Sequence, residues 1–259
     1  MEDRHFLISD VDNTLLGDDD ALVQFAAWYE NLDERPHLAY CSGRFYASVC
    51  RSIETTALPV PDVIIGGVGT EIHLVESGTR VAGWPENAAS WERDAIEAVL
   101  VGHKELERQP DELQSDFKLS FYGRDLEPAF LAHLERQLTA LGHRVEIVYS
   151  SNRDLDVLPP KTNKGYAAAF LARCCKAEPH QVIVCGDSGN DLSMFQQGFR
   201  GVVVGNAHQE LRALSEENIY HSVHHFAAGV LDGVQYWLNG DSRGGSESGA
   251  MIDSRSLDG

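Results

Sequence analysis

A chain of 259 residues holds one large domain or two modest ones, and an apolar share of 43% is enough for a packed core, which argues against a disordered chain. A net charge of −19 repels phosphate backbones and anionic lipid, so nucleic acid and membrane surfaces are not expected partners. The N-terminus lacks a basic-then-apolar leader, and no apolar run approaches ~18 residues.

The first apolar run, Phe6–Ser9, reads as a short buried strand and ends in two carboxylates, Asp10 and Asp12, followed by Asn13 and Thr14. An Asp/Asn-rich turn is the plainer reading. Two close carboxylates at a strand end repel, however, and are tolerated mainly where a cation, usually a divalent metal, sits with them. Residues 21–32 carry Leu22, Phe25, Ala26, Tyr29 and Leu32 at helical spacing. A second strand, 38–41, ends Cys41-Ser42-Gly43-Arg44 before a helix over 45–57. A hydroxyl, a glycine and free amides at a helix start form a phosphate cradle. A third strand, 63–65, leads to Val68-Gly69-Thr70-Glu71 and to a hairpin of 71–74 with 80–83 around Ser77-Gly78.

From about Trp84 to Pro160 the rhythm changes. The pattern predicts a helix over 91–106, with Trp91 as packing, a half-exposed strand over 117–122, a helix over 128–141 ended by Gly142, and strands at 145–150 and 155–158. Pro159-Pro160 marks the return. Lys164 then precedes a helix over 165–175, placed against the helix dipole, and countering phosphate charge would be a reason. The strand 182–185 ends Gly186-Asp187-Ser188-Gly189-Asn190-Asp191; an Asp N-cap explains one of these acids but not the set. A strand at 202–204 and helices at 209–217 and 226–238 close the chain.

Buried strands alternating with helices predict an α/β fold, a Rossmann-like parallel-sheet core with an inserted α+β cap. The expected divisions are a core from 1–83 and 161–240, a cap from 84–160, and a disordered tail from 241–259. The five cysteines, Cys41, Cys50, Cys174, Cys175 and Cys185, are odd in number and lack metal-ligand spacing. They read as reduced thiols of a cytoplasmic protein, with Cys174 and Cys175 as packing residues.

The joint pattern is specific: an acid pair, a hydroxyl before glycine, a lysine, then Gly-Asp-x-x-Asn-Asp, each beside a strand or helix end. This order resembles the haloacid dehalogenase-like hydrolase superfamily. The segments Leu7 to Thr14, Leu38-Ala39-Tyr40, Ser42-Gly43-Arg44, Val68 to Ile72, Val157-Leu158-Pro159, Asn163-Lys164-Gly165 and Val184 to Asp191 are similar to its sucrose-phosphate phosphatase branch. Ser42 stands where Thr is more usual, which keeps the hydroxyl.

The resemblance implies a Mg2+-dependent phosphatase that releases sucrose from sucrose 6-phosphate through an aspartyl-phosphate. Asp10 would be nucleophile and metal ligand. Asp12 would be general acid and base, with its backbone carbonyl on the metal. Asp187 would complete the metal site with Asn190 and Asp191 nearby. Ser42 and Lys164 would hold phosphate oxygens, with Gly43, Arg44 and Asn190 beside the substrate. Gly69, Thr70, Glu71 and, from the cap, Lys118 would meet the sugar. The alternatives are a phosphatase for another phosphorylated disaccharide such as mannosylfructose phosphate, a phosphosugar mutase, and a non-catalytic regulatory module like those fused to sucrose-phosphate synthases. A monomer is expected, with such a synthase as a candidate partner.

Overall fold

The computed structural model describes residues 4–244. The chain runs β1 (Phe6–Ser9), α1 (Asp19–Glu30), β2 (His37–Cys41), α2 (Tyr46–Thr55), β3 (Val63–Gly66), β4 (Glu71–Leu74) and β5 (Thr79–Arg80). A second block follows: α3 (Arg93–Leu100), β6 (Glu107–Arg108), β7 (Leu119–Tyr122), α4 (Pro128–Ala140), β8 (Glu146–Ser150) and β9 (Asp154–Leu158). The chain closes with α5 (Lys164–Cys175), β10 (Val182–Gly186), α6 (Leu192–Phe195), β11 (Arg200–Val203), α7 (Gln209–Arg212), β12 (Ile219–His221) and α8 (Phe226–Gly244).

The large sheet has the order β12-β11-β10-β1-β2-β3-β4-β5. It is parallel from β12 to β3, and β4 turns antiparallel against β3. β1, β2, β3 and β10 are almost wholly buried, as expected for strands covered by helices on both faces. The fold is therefore the expected α/β parallel-sheet architecture. Strands β6-β7-β9-β8 form a separate antiparallel sheet that has its own core with α3 and α4, built of Ile96, Leu100, Leu119, Phe121, Leu134, Leu138, Leu155 and Val157; Trp84 packs in the core of the large sheet.

β1 lies between β10 and β2, with Ser9 opposite Cys185 on one side and Tyr40 on the other. The Asp10 amide continues the ladder to the Cys185 carbonyl at 3.0 Å. In a parallel sheet all three strands point the same way. Asp10, Ser42 and Asp187 therefore leave the sheet together at its carboxyl edge, where such folds bind ligands.

Several elements depart from the sequence pattern. The helix expected over 91–106 is only Arg93–Leu100, with Gly102 just past its end, and residues 107–108 beyond it pair with β7. The helix expected over 209–217 is a single turn, after which β12 adds an edge strand that its two apolar residues did not announce. The second hairpin strand is Thr79–Arg80 rather than 80–83, and β7 begins at Leu119 rather than 117. Cys174 is exposed, so it is not a packing residue, while Cys175 is half-buried at the end of α5. α8 continues to Gly244, so residues 241–244 are helical. The rest of the tail, 245–259, lies outside the described residues.

Candidate active site

Asp10 is buried at the end of β1 and Asp12 is half-exposed two residues on. The chain can turn here because Asn13 takes a left-handed φ of 59°, which Asn tolerates better than most residues. Asp10 Oδ1 accepts from Lys164 Nζ at 2.6 Å. Asp12 pairs with Arg44, its Oδ2 2.8 Å from Arg44 Nε. Partial burial raises the Asp12 carboxyl above the ordinary value; Arg44 opposes the rise and the Asp10 charge adds to it.

Ser42 is fully buried at the end of β2. Its amide donates to Ile65 O and its carbonyl accepts from Val68 N, which ties the β2 loop to the β3 loop. Ser42 Oγ accepts from the Arg44 amide at 3.1 Å. Gly67, Val68 and Gly69 take φ values of 58°, 60° and 97°. A valine at φ 60° is a true outlier, and strain of this kind persists only where the surroundings over-determine it. Here they do: Thr70 Oγ1 donates to Gly67 O, Trp84 Nε1 donates to Gly69 O, and Glu71 Oε1 accepts from the Tyr46 amide. Gly69, Thr70 and Glu71, expected at the sugar, are thus turned to shaping their loop. It is Val68 that faces the cleft.

Lys164 is the first residue of α5 and has no exposed surface. Asn163 caps the helix, its Oδ1 accepting from the Tyr166 amide at 3.0 Å. Gly165 lets α5 pack tightly on α6: a Cβ there would lie 2.0 Å from the Ser193 carbonyl oxygen. The Lys164 ammonium donates to Asp10 Oδ1 and to Asp191 Oδ1, both at 2.6 Å. Burial alone would lower its pKa, but Asp10 and then Asp191 outweigh burial and hold it above the ordinary value.

Asp187 follows β10. Its Oδ1 accepts from Thr14 Oγ1 at 3.3 Å, and its carboxyl is pushed up to about 8 by burial and by the charges of Asp191 and Asp10. Asp191 is braced at both oxygens, Oδ1 by Lys164 and Oδ2 by the amides of Asp187 and Ser188 at 3.0 and 3.2 Å. Ligand atoms of Asp10, Asp187 and Asp191 lie within 4.8 Å of one another. Three buried carboxylates against one ammonium leave a formal charge of −2 among these four groups. All-oxygen donors and that imbalance fit a hard divalent cation such as Mg2+. The Asp12 carboxylate is not among them.

Above these groups opens a cleft of about 350 Å³. Asp10, Asp12, Gly43, Arg44, Asp187 and Asn190 line its floor, and Gln109, Lys118, Tyr122, Asp154 and Asp156 line the opposite wall. Ser42, Lys164 and Asp191 are fully buried and form no part of that lining. Lys118 is not a solvated strand charge. It is buried, donates to Asp156 Oδ1 at 2.9 Å and to Ser120 Oγ, and stands over the Phe45 ring.

The profile of the sucrose-6F-phosphate phosphohydrolase family matches residues 3–238. The chain belongs to this family. A mannosylfructose-phosphate phosphatase of Agrobacterium fabrum is 35% identical over 243 residues, covering 92% of this chain and 98% of the relative. A probable sucrose-phosphatase 3a of Arabidopsis thaliana is 32% identical, and the alignment covers 90% of this chain but 59% of that longer protein. Among solved structures, the sucrose-phosphatase of Synechocystis sp. PCC6803, in complex with sucrose and phosphate, superposes with a TM-score of 0.84. It is 32% identical, with 90% of this chain and 98% of that chain covered. A haloacid dehalogenase-like hydrolase of Bacillus subtilis, 18% identical with a TM-score of 0.63, shares the fold.

As a sucrose-6F-phosphate phosphohydrolase family member, the chain is a phosphoric monoester hydrolase. The wall residues Gln109, Tyr122, Asp154 and Asp156 are not singled out by the sequence analysis. A signal for three of them was present: Lys118, Ser120 and Tyr122 alternate with Leu119 and Phe121, and Asp154 and Asp156 alternate with Leu155 and Val157. Period-two alternation places all the polar members on one face of the small sheet. Among the described residues, no helix is long and apolar enough to cross a membrane.

Proposed function

We propose that the chain hydrolyses sucrose 6-phosphate to sucrose and phosphate, with Mg2+ held by Asp10, Asp187 and the braced Asp191. The observation that carries this reading is the Lys164 ammonium shared between Asp10 and Asp191 under a polar cleft, in a chain of this family. The Asp10 carboxylate, held by the Lys164 ammonium, attacks phosphorus without a base. As the phosphorus–oxygen bond to the sugar breaks, Asp12 gives its proton to the leaving oxygen. Asp12 then takes a proton from the water that opens the aspartyl-phosphate. Its raised carboxyl suits this two-way role, worth roughly 10²–10⁴ in rate. Gly43 and Arg44, on the loop that the buried Ser42 anchors, cradle the phosphoryl oxygens. A bound Mg2+ supplies positive charge against those oxygens. Residues 84–160 act as the cap that covers the sugar, with Lys118 on the wall facing the phosphate site.

Purified protein with Mg2+ is expected to release phosphate from sucrose 6-phosphate far faster than from mannosylfructose phosphate or glucose 6-phosphate. A preference for mannosylfructose phosphate would move the chain to the specificity of its Agrobacterium relative. No release from any of the three would favour the regulatory reading. A monomer is part of the proposal and is read by light scattering, alone and with a sucrose-phosphate synthase.

The metal reading has a pH signature. The Asp187 carboxyl lies near 8 in the folded chain against an ordinary 3.8, so the folded chain keeps a proton that the unfolded chain gives up. Without a cation, stability therefore falls as pH rises between those two values. Mg2+ relieves the repulsion, so its stabilising effect grows over the same interval. The rise in Tm on replacing EDTA with Mg2+ is expected to be clearly larger at pH 8 than at pH 5.5. Equal rises at both would remove Asp187 from the site.

A further inference from the structure

Asn163 stands where three parts of the molecule meet. It directly precedes Lys164, and its side chain is used at both ends. Oδ1 caps α5 at the Tyr166 amide, while Nδ2 donates at 2.8 Å to Oε1 of Glu146, the first residue of β8. Its backbone is wedged against the strained loop: a Cβ on Gly69 would lie 2.3 Å from the Asn163 carbonyl. Gly69 O is in turn held by Trp84, where the chain leaves for the second block. β8 continues along the acidic loop, with Tyr149 O 3.3 Å from the place a Cβ on Gly189 would take.

A side-chain amide can face either way. With Glu146 in place, a flipped Asn163 would set NH2 against the Tyr166 N–H and oxygen against a carboxylate, two repulsive pairs in place of two hydrogen bonds. Without Glu146, the flip costs only the helix cap. Glu146 is partly buried, and a charge-assisted bond is stronger there than in water.

We propose that Glu146 is a positioning residue for Lys164: when the cap is down it fixes the Asn163 amide, and so ties the seat of the Lys164 ammonium to cap position. This rests on the phosphatase reading, in which Lys164 serves Asp10. The test compares Glu146→Ala and Glu146→Gln in the full chain. With Mg2+ and sucrose 6-phosphate, Glu146→Ala is expected to lower kcat about tenfold with KM changed less than about twofold. Glu146→Gln keeps an acceptor oxygen and stays within about twofold of the unmutated chain. Independently of any substrate, amide hydrogen exchange at Tyr166 is expected to speed up at least about fivefold in Glu146→Ala and not in Glu146→Gln, while Phe170 in mid-helix is unchanged. Unaltered Tyr166 exchange in Glu146→Ala, a raised KM at constant kcat, or a glutamine variant as impaired as the alanine one would each overturn the proposal. If the unmutated chain leaves sucrose 6-phosphate untouched, the substrate reading fails by itself, and the exchange at Tyr166 still decides the role of Glu146.

Discussion

Replacing Asp10 with asparagine is expected to lower kcat on sucrose 6-phosphate by at least about 10⁴ while the chain still folds. The substitution keeps the shape of the side chain and a carbonyl oxygen that accepts from the Lys164 ammonium at the Asp10 Oδ1 position. What it removes is the carboxylate that attacks phosphorus. Asparagine is a very poor nucleophile, and no neighbour takes over: Asp12 faces Arg44, and both oxygens of Asp191 are already engaged. Dropping one of three buried negative charges also relieves repulsion in the cation-free protein, so Tm without Mg2+ is expected to hold or rise. Phosphate release and a thermal melt on the same sample read both effects. Turnover within tenfold of the unmutated chain would rule out Asp10 as the attacking group.

The second large effect belongs to Lys164→Met. Methionine fills much of the same volume but leaves Asp10, Asp187 and Asp191 buried with no cation among them. Stranding buried charge by removing one partner typically costs about 3–5 kcal/mol. In a chain of this size that corresponds to a Tm lower by on the order of 10 °C. Mg2+ is expected to recover part of the loss, because it restores positive charge to the same cluster. It is not expected to recover activity, which should remain about 10³-fold down for want of the fixed donor beside Asp10. A Tm within about 2 °C of the unmutated chain, measured in EDTA, would mean that Lys164 does not balance these acids.

The large sheet was legible because its strands are buried on both faces. An apolar run ended by a polar cluster is hard to mistake, and the same reading gave Asp10, Ser42, Lys164 and Asp187 their places at strand and helix ends. Elements whose stability comes from neighbours were not legible. β12 has two apolar residues and exists because β11 offers an edge. The strand at 107–108 forms against β7 directly after the segment whose spacing predicted a helix. In the loop after β3, the family resemblance pointed to Gly69, Thr70 and Glu71, but their partners are Trp84, Gly67 and Tyr46. Only the folded backbone shows that Val68 is the residue turned toward the cleft. Lys118 shows the converse. The resemblance placed it at the sugar, and Asp156, distant in sequence, is what makes its burial tolerable.

The placement of β1 between β2 and β10 has a consequence for how the molecule is born. β2 follows closely in the chain, but β10 begins at Val182, so one flank of β1 has no partner through most of synthesis. At about 5–20 residues per second, that wait is roughly 10–30 s. The small sheet, with its own core, can finish folding during the interval, whereas the large sheet closes late. An open apolar strand flank invites self-association, and the strongly acidic character of the chain opposes it by keeping nascent molecules apart.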